Sequence, residues 1–163
     1  YELLEYVIKR NNGITFVFIG QIYKDSIEQF KRLKEIYPNV HLTGRVNYNA
    51  LPGLLKYFKV GLIPFKINEF MESVNPNKFY EMLSCSVPIV TTNIGDLKRE
   101  YGEICKVADS KEEFSAFINE IINSEESDIL DLKMRMSEVS SSSNWQTKAA
   151  FFRKLLNEHI LLK

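Results

Sequence analysis

Near-continuous apolar segments alternate along the chain with segments that carry apolar residues on one helical face. Residues 14–19 form the clearest apolar segment, and Gly20 ends it. Such a run is typical of a strand that is buried on both faces. Similar short runs predict further strands at 40–43, 60–64, 87–92 and 104–107.

The amphipathic segments between these strands carry signals for helix starts. Asp25 with Glu28, and Ser110 with Glu113, have the spacing of a capping box. In that motif a side chain at the helix start accepts a hydrogen bond from the N–H three residues later. Apolar residues then recur at helical spacing after Asp25, as far as Ile36. Other helices are predicted at 49–58, 75–83 and 96–101, with a loop at 65–74.

Both ends of the chain are predicted to be helical. Leu3, Leu4, Val7 and Ile8 have helical spacing with no strand before them. Because a Rossmann-like unit normally begins with a strand, we expect the first strand of this unit to be truncated. Near the other end we expect a polar break at 140–143. A final helix then carries an apolar stripe formed by Trp145, Ala149, Phe152, Leu156 and Ile160.

The alternation of strands and helices predicts an α/β fold: a Rossmann-like, doubly wound parallel sheet with helices on both faces. A length of 163 residues fits one domain with a single core. We therefore interpret residues 1–163 as one domain, with a helical C-terminal extension at about 126–163. In open α/β sheets, ligands bind at the carboxyl ends of the strands.

Composition and charge narrow the function classes. Hydrophobic residues make up 45% of the chain and charged residues 26%, as in an ordinary globular protein. The 21 basic residues balance the 21 acidic ones, which disfavours a nucleic-acid partner. No apolar run approaches the roughly 20 residues of a membrane span. Cys85 and Cys105 lack metal-ligand spacing, so we interpret them as buried, reduced thiols, which favours a cytoplasmic location.

The segment NPNKFYEML at 75–83 carries the strongest chemical signal. Asn75 is predicted to cap a helix, with Pro76 at its first position. The free N–H groups of Asn77 and Lys78 would then face the carboxyl edge of the sheet. A helix start offers amide donors and a partial positive charge to a phosphate, and Lys78 adds a full charge. A plain capped helix with Lys78 in solvent would explain the same residues without a ligand.

From Phe16 to about Phe152, the order of segments resembles the C-terminal domain of retaining GT-B glycosyltransferases of group 1 (family 4). The run FVFIG is similar to the second strand of that family, and VHLTGRV is similar to its strand and Gly-Arg-Val turn. Residues 51–64 are similar to its next helix and strand, which end in a proline before the donor loop. The helix with the pattern NPxKxYE, followed by PIV, resembles a subgroup that acts in surface polysaccharide synthesis.

This resemblance implies a domain that binds a nucleotide-diphosphate sugar, such as a UDP- or GDP-sugar, for retaining transfer to a glycan or lipid-linked acceptor. Glu81 matches the helix glutamate that bonds the donor ribose in the family, and a carboxylate can accept from two vicinal hydroxyls. Gly44, Arg45 and Val46 match the turn near the base, although Arg45 could instead pair with a carboxylate inside the domain. The expected contacts to the donor phosphates are Asn77, Lys78 and Arg45.

Two positions depart from the family pattern. The family often has a glutamate eight positions before the ribose-binding one, and Ser73 stands there in this chain. Glu72 could replace that glutamate through a one-residue shift of the loop. Pro76 stands where the family usually has glycine, so the phosphate site should rest on the residues after it. The expected contacts to the transferred sugar are therefore Glu72, Ser73 and Asn75.

The resemblance also implies a partner, an N-terminal acceptor domain that is missing here, so the fragment alone is expected to transfer nothing. Any peripheral contact with the inner face of the cytoplasmic membrane is expected through that domain. We expect no metal and no cofactor, because the Asp-x-Asp arrangement of other transferases is missing. No general base or nucleophile can be named, so the catalytic residues are unknown.

Two other functions stay open from the sequence. A nucleotide-sugar epimerase of GT-B fold would use acidic and histidine residues in its cleft, and the predicted donor loop has no histidine. A non-catalytic interaction domain that has lost its ligand is supported by Ser73. Lys78 and Glu81 on one helix face argue against that second alternative.

Overall fold

The computed structural model describes residues 1–142 and 145–159, apart from the side chains of Glu72 and His159. Helices and strands follow one another in this part of the chain, alternating as far as α6, in the order α1 Glu2–Arg10, β1 Phe16–Ile19, α2 Ile27–Ile36, β2 Val40–Gly44, α3 Leu51–Leu55, β3 Gly61–Ile63, α4 Asn77–Ser84, β4 Ile89–Thr92, α5 Leu97–Tyr101, β5 Lys106–Ala108, α6 Lys111–Asn123, α7 Glu126–Ser142 and α8 Trp145–His159. Short 3₁₀ turns lie at Lys24–Ser26, Tyr48–Ala50 and Glu69–Ser73.

The strands form two sheets in which every pair is parallel. β1 pairs with β2, while β4 lies between β3 and β5. Parallel neighbours need a crossover connection, and α2, α4 and α5 supply these crossovers. The prediction of an α/β fold with parallel strands and flanking helices is confirmed. The division of the strands into two sheets was not predicted.

Helices cover both faces of the three-stranded sheet, in keeping with the doubly wound prediction. One apolar cluster joins α1 and α6 to the strands, and the other joins α4, α5 and α7 to them. Val90 of β4 belongs to the first cluster and its neighbour Ile89 to the second. Successive side chains of a strand point to opposite faces, so β4 is covered on both sides. All four of its residues are buried.

A buried polar network fixes α1 on α6. Asn11 is 4% exposed, and its Nδ2 donates to the Val7 carbonyl at 2.7 Å and to the Ser115 hydroxyl at 3.0 Å. Asn119 Nδ2 donates to Asn11 Oδ1 at 2.6 Å. A buried amide left without partners costs about 1–3 kcal/mol. The network therefore favours one position of α1 against α6.

The two predicted capping boxes have different outcomes. The box of Asp25 with Glu28 is wrong, because a 3₁₀ turn places Asp25 inside the helical segment and α2 has no side-chain cap. Glu28 instead pairs with Lys31 at 2.9 Å. The box at α6 is confirmed, since Ser110 Oγ accepts from the Glu113 N–H at 3.1 Å. The carboxylate of Glu113 returns to the N–H of the residue before Ser110, at 2.8 Å.

Several other predicted boundaries also differ from the structure. α3 is shorter than the predicted helix at 49–58, because a 3₁₀ turn capped by Asn47 precedes it. The predicted loop at 65–74 contains the turn Glu69–Ser73. The polar break at 140–143 is wrong for 140–142, which belong to α7, and its last residue lies outside the described residues. The hydroxyls of Ser141 and Ser142 donate to carbonyls four and three residues earlier, so they do not compete with the backbone N–H bonds that continue the helix.

The predicted core positions near the C-terminus and at one cysteine also need correction. Trp145 and Phe152 of the predicted stripe on α8 are 82% and 63% exposed, and Ile160 lies outside the described residues. Both cysteines are free thiols, but only Cys105 is buried, whereas Cys85 is part-buried. Desolvation raises the pKa of the Cys105 thiol to about 12.

The end of α4 contains a serine in a left-handed conformation. Ser86 has a φ of 51°, and its N–H donates to the Leu83 carbonyl at 3.0 Å. The Val87 N–H donates to the Met82 carbonyl at 3.1 Å. These two bonds form a Schellman motif, in which the left-handed position is usually glycine. Ser86 carries a Cβ where glycine would be free of strain.

Ser86→Gly is therefore expected to stabilise the protein. Relief of the left-handed strain, less the entropy cost of glycine, should raise the free energy of unfolding by about 0.5–1 kcal/mol. Chemical denaturation measures this change. Ser84→Gly is the matched control, since the same substitution inside the last turn of α4 should destabilise by about 0.5–1 kcal/mol. Equal effects at the two positions would contradict the assignment of strain to Ser86.

A second polar cluster ties the end of β4 to the end of β5. Asn93 N–H donates to the Ala108 carbonyl at 3.1 Å, and Asn93 Nδ2 donates to Asp109 Oδ1 at 2.7 Å. The ammonium group of Lys98 bonds the other carboxylate oxygen of Asp109. These two donors, Lys98 first and Asn93 second, hold the pKa of Asp109 below its usual range.

This lowered pKa makes part of the stability depend on pH. The contribution of Asp109 is fully present above the ordinary aspartate pKa of about 3.9 and is lost as the pH falls through its lower folded-state value. Asp109→Asn should remove that dependence. Urea denaturation between about pH 5 and pH 2 should show the stability advantage of the wild type over this variant shrinking. A wild-type advantage that stays constant over this pH range would contradict the assignment of the lowered pKa to Asp109.

Candidate functional site

The amino end of α4 lies at the carboxyl edge of the three-stranded sheet. α4 connects β3 to the parallel strand β4, so it runs antiparallel to both. Phe79 and Leu83 are 0% and 1% exposed and belong to the apolar cluster that includes Met136 of α7. Asn77 and Lys78 are exposed. The helix therefore presents its first residues at the edge where ligands bind in open α/β sheets.

The first turn of α4 leaves amide donors unused. The helix starts at Asn77, because Pro76 keeps an extended backbone with φ −75° and ψ 124°. The predicted cap by Asn75 is therefore wrong, and its Nδ2 instead donates to the Tyr80 hydroxyl at 2.8 Å. Among the described residues, the N–H groups of Asn77 and Lys78 have no acceptor. Two such donors at a helix start suit an anion.

Lys78 and Glu81 lie on one face of α4. Lys78 Nζ is 2.7 Å from Glu81 Oε2, and the two side chains are 60% and 24% exposed. An ion pair this exposed contributes only about 0–1 kcal/mol, so a bound diphosphate could replace Glu81 as the partner of the ammonium group. The helix thus combines free N–H groups, a cation and a carboxylate within its first two turns.

Ser73 and Asn75 line a small polar cavity beside the start of α4. The cavity has a volume of about 130 Å³, and Asp96 and Glu100 line it from the segment after β4. Both carboxylates also contact the guanidinium group of Arg99, at 3.0 and 3.4 Å. Sequence reasoning missed Asp96 and Glu100, whose one available signal was their position after the carboxyl end of a strand. The side chain of Glu72 lies outside the described residues.

Hydrogen bonds hold the loop before α4 in place. The Gly95 N–H, after β4, donates to the Met71 carbonyl at 3.0 Å. Thr92 Oγ1 donates to the Phe65 carbonyl at 2.9 Å, and Asn68 Oδ1 accepts from the Met71 N–H at 3.0 Å. The ends of β3 and β4 are therefore linked through the loop that carries Ser73 and Asn75.

The turn at residues 44–46 lies on the other sheet. Gly44 ends β2 with a φ of 69°, a conformation that favours glycine, and its carbonyl accepts from the Gly20 N–H at 2.9 Å. Arg45 is exposed and has no ion pair with a described carboxylate, and Val46 is part-buried. The structure thus brings Asn77, Lys78 and Glu81 together on α4, but it places the Gly-Arg-Val turn on the two-stranded sheet.

A second cavity lies at the carboxyl edge of β3, β4 and β5. It has a volume of about 230 Å³ and is mainly apolar, with Thr92 and Ala108 at the ends of β4 and β5 and Phe65 shortly after β3. Lys66 also lines it, as does Leu3 near the amino end of α1. Ligand pockets usually measure about 300–1,000 Å³. Neither of these two cavities is large enough by itself to enclose a nucleotide-diphosphate sugar.

Comparisons with known proteins agree with this architecture. Residues 2–124 match the family model "Glycosyl transferases group 1". A stretch of 80 residues is 29% identical to the Bacillus subtilis (strain 168) protein named "Putative teichuronic acid biosynthesis glycosyltransferase TuaH". This match covers 49% of the chain and 20% of that protein.

A solved structure shares the fold. The structure of the N-terminal domain of Candida albicans trehalose-6-phosphate phosphatase superposes with a TM-score of 0.70 at 16% identity. The superposition covers 98% of this chain and 38% of the Candida albicans chain. At this identity the likeness concerns the fold alone.

Across residues 1–142 and 145–159, no helix has both the length and the apolar composition that crossing a bilayer needs.

The family match spans most of the chain, and the parallel, doubly wound α/β fold agrees with it. The chain therefore belongs to the Glycosyl transferases group 1 family and is a Rossmann-like glycosyltransferase domain of GT-B type.

Proposed function

We propose that this domain binds a nucleotide-diphosphate sugar, with the diphosphate at the amino end of α4. The observation that carries the proposal is the pair of free N–H groups at Asn77 and Lys78, at the ligand-binding edge of the sheet. A diphosphate would accept from both N–H groups and from the Lys78 ammonium group. The macrodipole of α4 favours negative charge at the same end.

The nucleoside part of the donor would extend from this point toward two further groups. Glu81 lies one turn after Lys78 and would accept hydrogen bonds from the ribose hydroxyls once a phosphate has taken over its ion-pair partner. Arg45, without a described ion-pair partner, would add a second cation near the phosphates. Gly44 and Val46 would lie against the base. Arg45, Gly44 and Val46 belong to the other sheet, so this part of the proposal requires the donor to span both sheets.

The sugar would lie in the polar cavity beside α4. Ser73 and Asn75 offer a hydroxyl and an amide, and Asp96 and Glu100 offer carboxylates that accept from sugar hydroxyls. About 130 Å³ is too small for a whole donor but is in keeping with a site for part of one sugar ring. Glu72 stays a candidate from its position in the sequence.

Transfer would proceed with retained configuration, and the domain would contribute by stabilising the leaving diphosphate. Free amides and a lysine placed where negative charge develops lower the cost of its departure. An N-terminal acceptor domain of the same protein would complete the cleft. The name of the Bacillus relative supports a role in cell-surface polysaccharide synthesis. The two free thiols support a cytoplasmic site for the reaction, with membrane contact through the acceptor domain.

Titration calorimetry of the chain with UDP, GDP and ADP tests the phosphate and ribose sites. One of these nucleotides should bind, and Lys78→Ala should weaken that binding about 10- to 100-fold, the range for losing hydrogen bonds to a charged group. Glu81→Gln should weaken it less, because the amide still accepts at one oxygen.

Lys59→Ala is the matched control for Lys78→Ala. Lys59 is an exposed lysine just before β3, so it lies at the opposite edge of the same sheet. Its loss should leave the affinity unchanged. Equal losses in the two lysine variants would mean that net charge alone drives binding. A chain that binds none of the three nucleotides would favour the non-catalytic interaction domain.

The sugar site has a test of its own. Asn75→Ala should weaken binding of the nucleotide-diphosphate sugar about 5- to 10-fold, as expected for the loss of about one hydrogen bond. It should leave the affinity for the corresponding nucleotide diphosphate unchanged, because that ligand does not reach the cavity. Calorimetry with the two ligands measures both values. Equal weakening of both would place Asn75 outside the sugar site.

A further inference from the structure

Lys148 of α8 stacks on an aromatic ring of α4. Its Nζ lies 4.9 Å from the centroid of the Tyr80 ring and 5.8 Å from that of the Trp145 ring. An ammonium group within about 6 Å of an aromatic face is attracted by the ring. Lys148 has no ion pair with a carboxylate in the described part of the chain. Its contact with Tyr80 joins the last described helix to the helix that carries the proposed donor site.

The hydroxyl of the same ring leads to the polar cavity beside α4. The Tyr80 hydroxyl accepts from Asn75 Nδ2 at 2.8 Å and lies 3.4 Å from the Tyr101 hydroxyl. Asn75 and Tyr101 both line the cavity of about 130 Å³. Asn75 is exposed, and its side-chain amide has no other partner among the described residues. The direction of that amide therefore depends on where the Tyr80 hydroxyl lies.

Three groups contact the Tyr80 ring. The Phe79 and Tyr101 rings meet it edge to face, with centroids 5.4 and 6.2 Å away. Tyr80 itself is only part-buried, and the ammonium group of Lys148 lies over its face. Movement of the ring away from this position would lose the attraction between the cation and the π face. Lys148 therefore helps to fix the position of the hydroxyl.

We propose that Lys148 is a positioning residue for the sugar site. Through the Tyr80 ring, it holds the side-chain amide of Asn75 toward the polar cavity. The inference rests on the proposed function, in which this cavity takes the transferred sugar. Lys148 acts without touching the ligand, so its loss should affect the sugar and leave the diphosphate unaffected. The site thereby extends to α8, for which the sequence predicted only an apolar stripe.

Two other roles for Lys148 would use the same contact. It could fasten α8 to α4 and do nothing more, or its ammonium group could bind the donor phosphates directly. Tyr80→Phe separates both roles from positioning. The variant keeps a ring beneath the ammonium group, but it removes the hydroxyl that bonds Asn75. Only the positioning role of Lys148 should be lost in that background.

NMR of the chain without ligand gives the first test, which does not depend on donor binding. Lys148→Met should shift the side-chain amide signals of Asn75 toward their positions in Tyr80→Phe, where the bond is absent. Lys148→Arg should leave them in place, because a guanidinium group also stacks on rings. Lys154→Met is the matched control, since Lys154 is an exposed lysine of α8 that pairs with Glu158. Equal spectra for Asn75 in the two methionine variants would overturn the proposal.

Calorimetry gives the second test. Lys148→Met should weaken binding of the nucleotide-diphosphate sugar about two- to fivefold, the range for one exposed cation–π contact, and Lys148→Arg should restore it. The affinity for the nucleotide diphosphate should not change. In the Tyr80→Phe background, Lys148→Met should change neither affinity.

The outcomes separate this inference from the proposed function. Equal weakening of both ligands by Lys148→Met would mean that Lys148 binds the phosphates, and would overturn positioning. Weakening that persists in the Tyr80→Phe background would overturn it as well, because Asn75 would then not be the group that Lys148 positions. A shift of the Asn75 signals in a chain that binds no donor would confirm the link from Lys148 to Asn75 and reject the proposed function instead.

Discussion

Burial of one side of α4 fixes the position of every candidate group on it. Phe79 and Leu83 are almost completely excluded from water in the cluster that includes Met136 of α7. Side chains of this size contribute about 1.5–3 kcal/mol each when buried. Because α4 must also reverse the chain between two parallel strands, its direction is set as well. The first turn can only lie at the carboxyl edge, whatever binds there.

The polar groups at the start of α4 are accessible to solvent and make few strong contacts within the protein. Lys78 and Glu81 form an exposed ion pair with each other. The backbone N–H groups of Asn77 and Lys78 donate to no described residue. An arrangement of this kind lets a charged ligand replace internal partners at little cost. The loop beside it is held more firmly, since Thr92 and Gly95 anchor its backbone to the end of β4.

Much of the fold could be predicted from the sequence, because local signals dominate it. Continuous apolar runs located the strands, and the cap of α6 followed from Ser110 and Glu113. The split into two sheets could not be predicted, since strand pairing depends on which neighbours are present. The left-handed backbone of Ser86 could not be predicted either, because it depends on the turn that leads from α4 into β4.

At the site, residues close in sequence were easier to predict than residues brought together by the fold. Asn77, Lys78 and Glu81 share one helix, so their spacing placed them on one side of it. The bond of Asn75 to Tyr80 depends on a ring held against Tyr101 of another helix, which the sequence does not reveal. Asp96 and Glu100 lie in the connection from β4 to β5, whereas Ser73 lies in the connection from β3 to β4, and all three line one cavity. The roles of all these residues in donor binding remain predictions.

The two cysteines differ in a way that makes α4 easy to observe. Burial that raises the pKa of the Cys105 thiol to about 12 leaves almost no thiolate at neutral pH, so this sulfur should resist alkylation. Cys85 is part-exposed at the carboxyl end of α4. A maleimide fluorophore should therefore attach to the native protein at one position. It would report from the same helix whose opposite end carries Lys78, without any engineered residue.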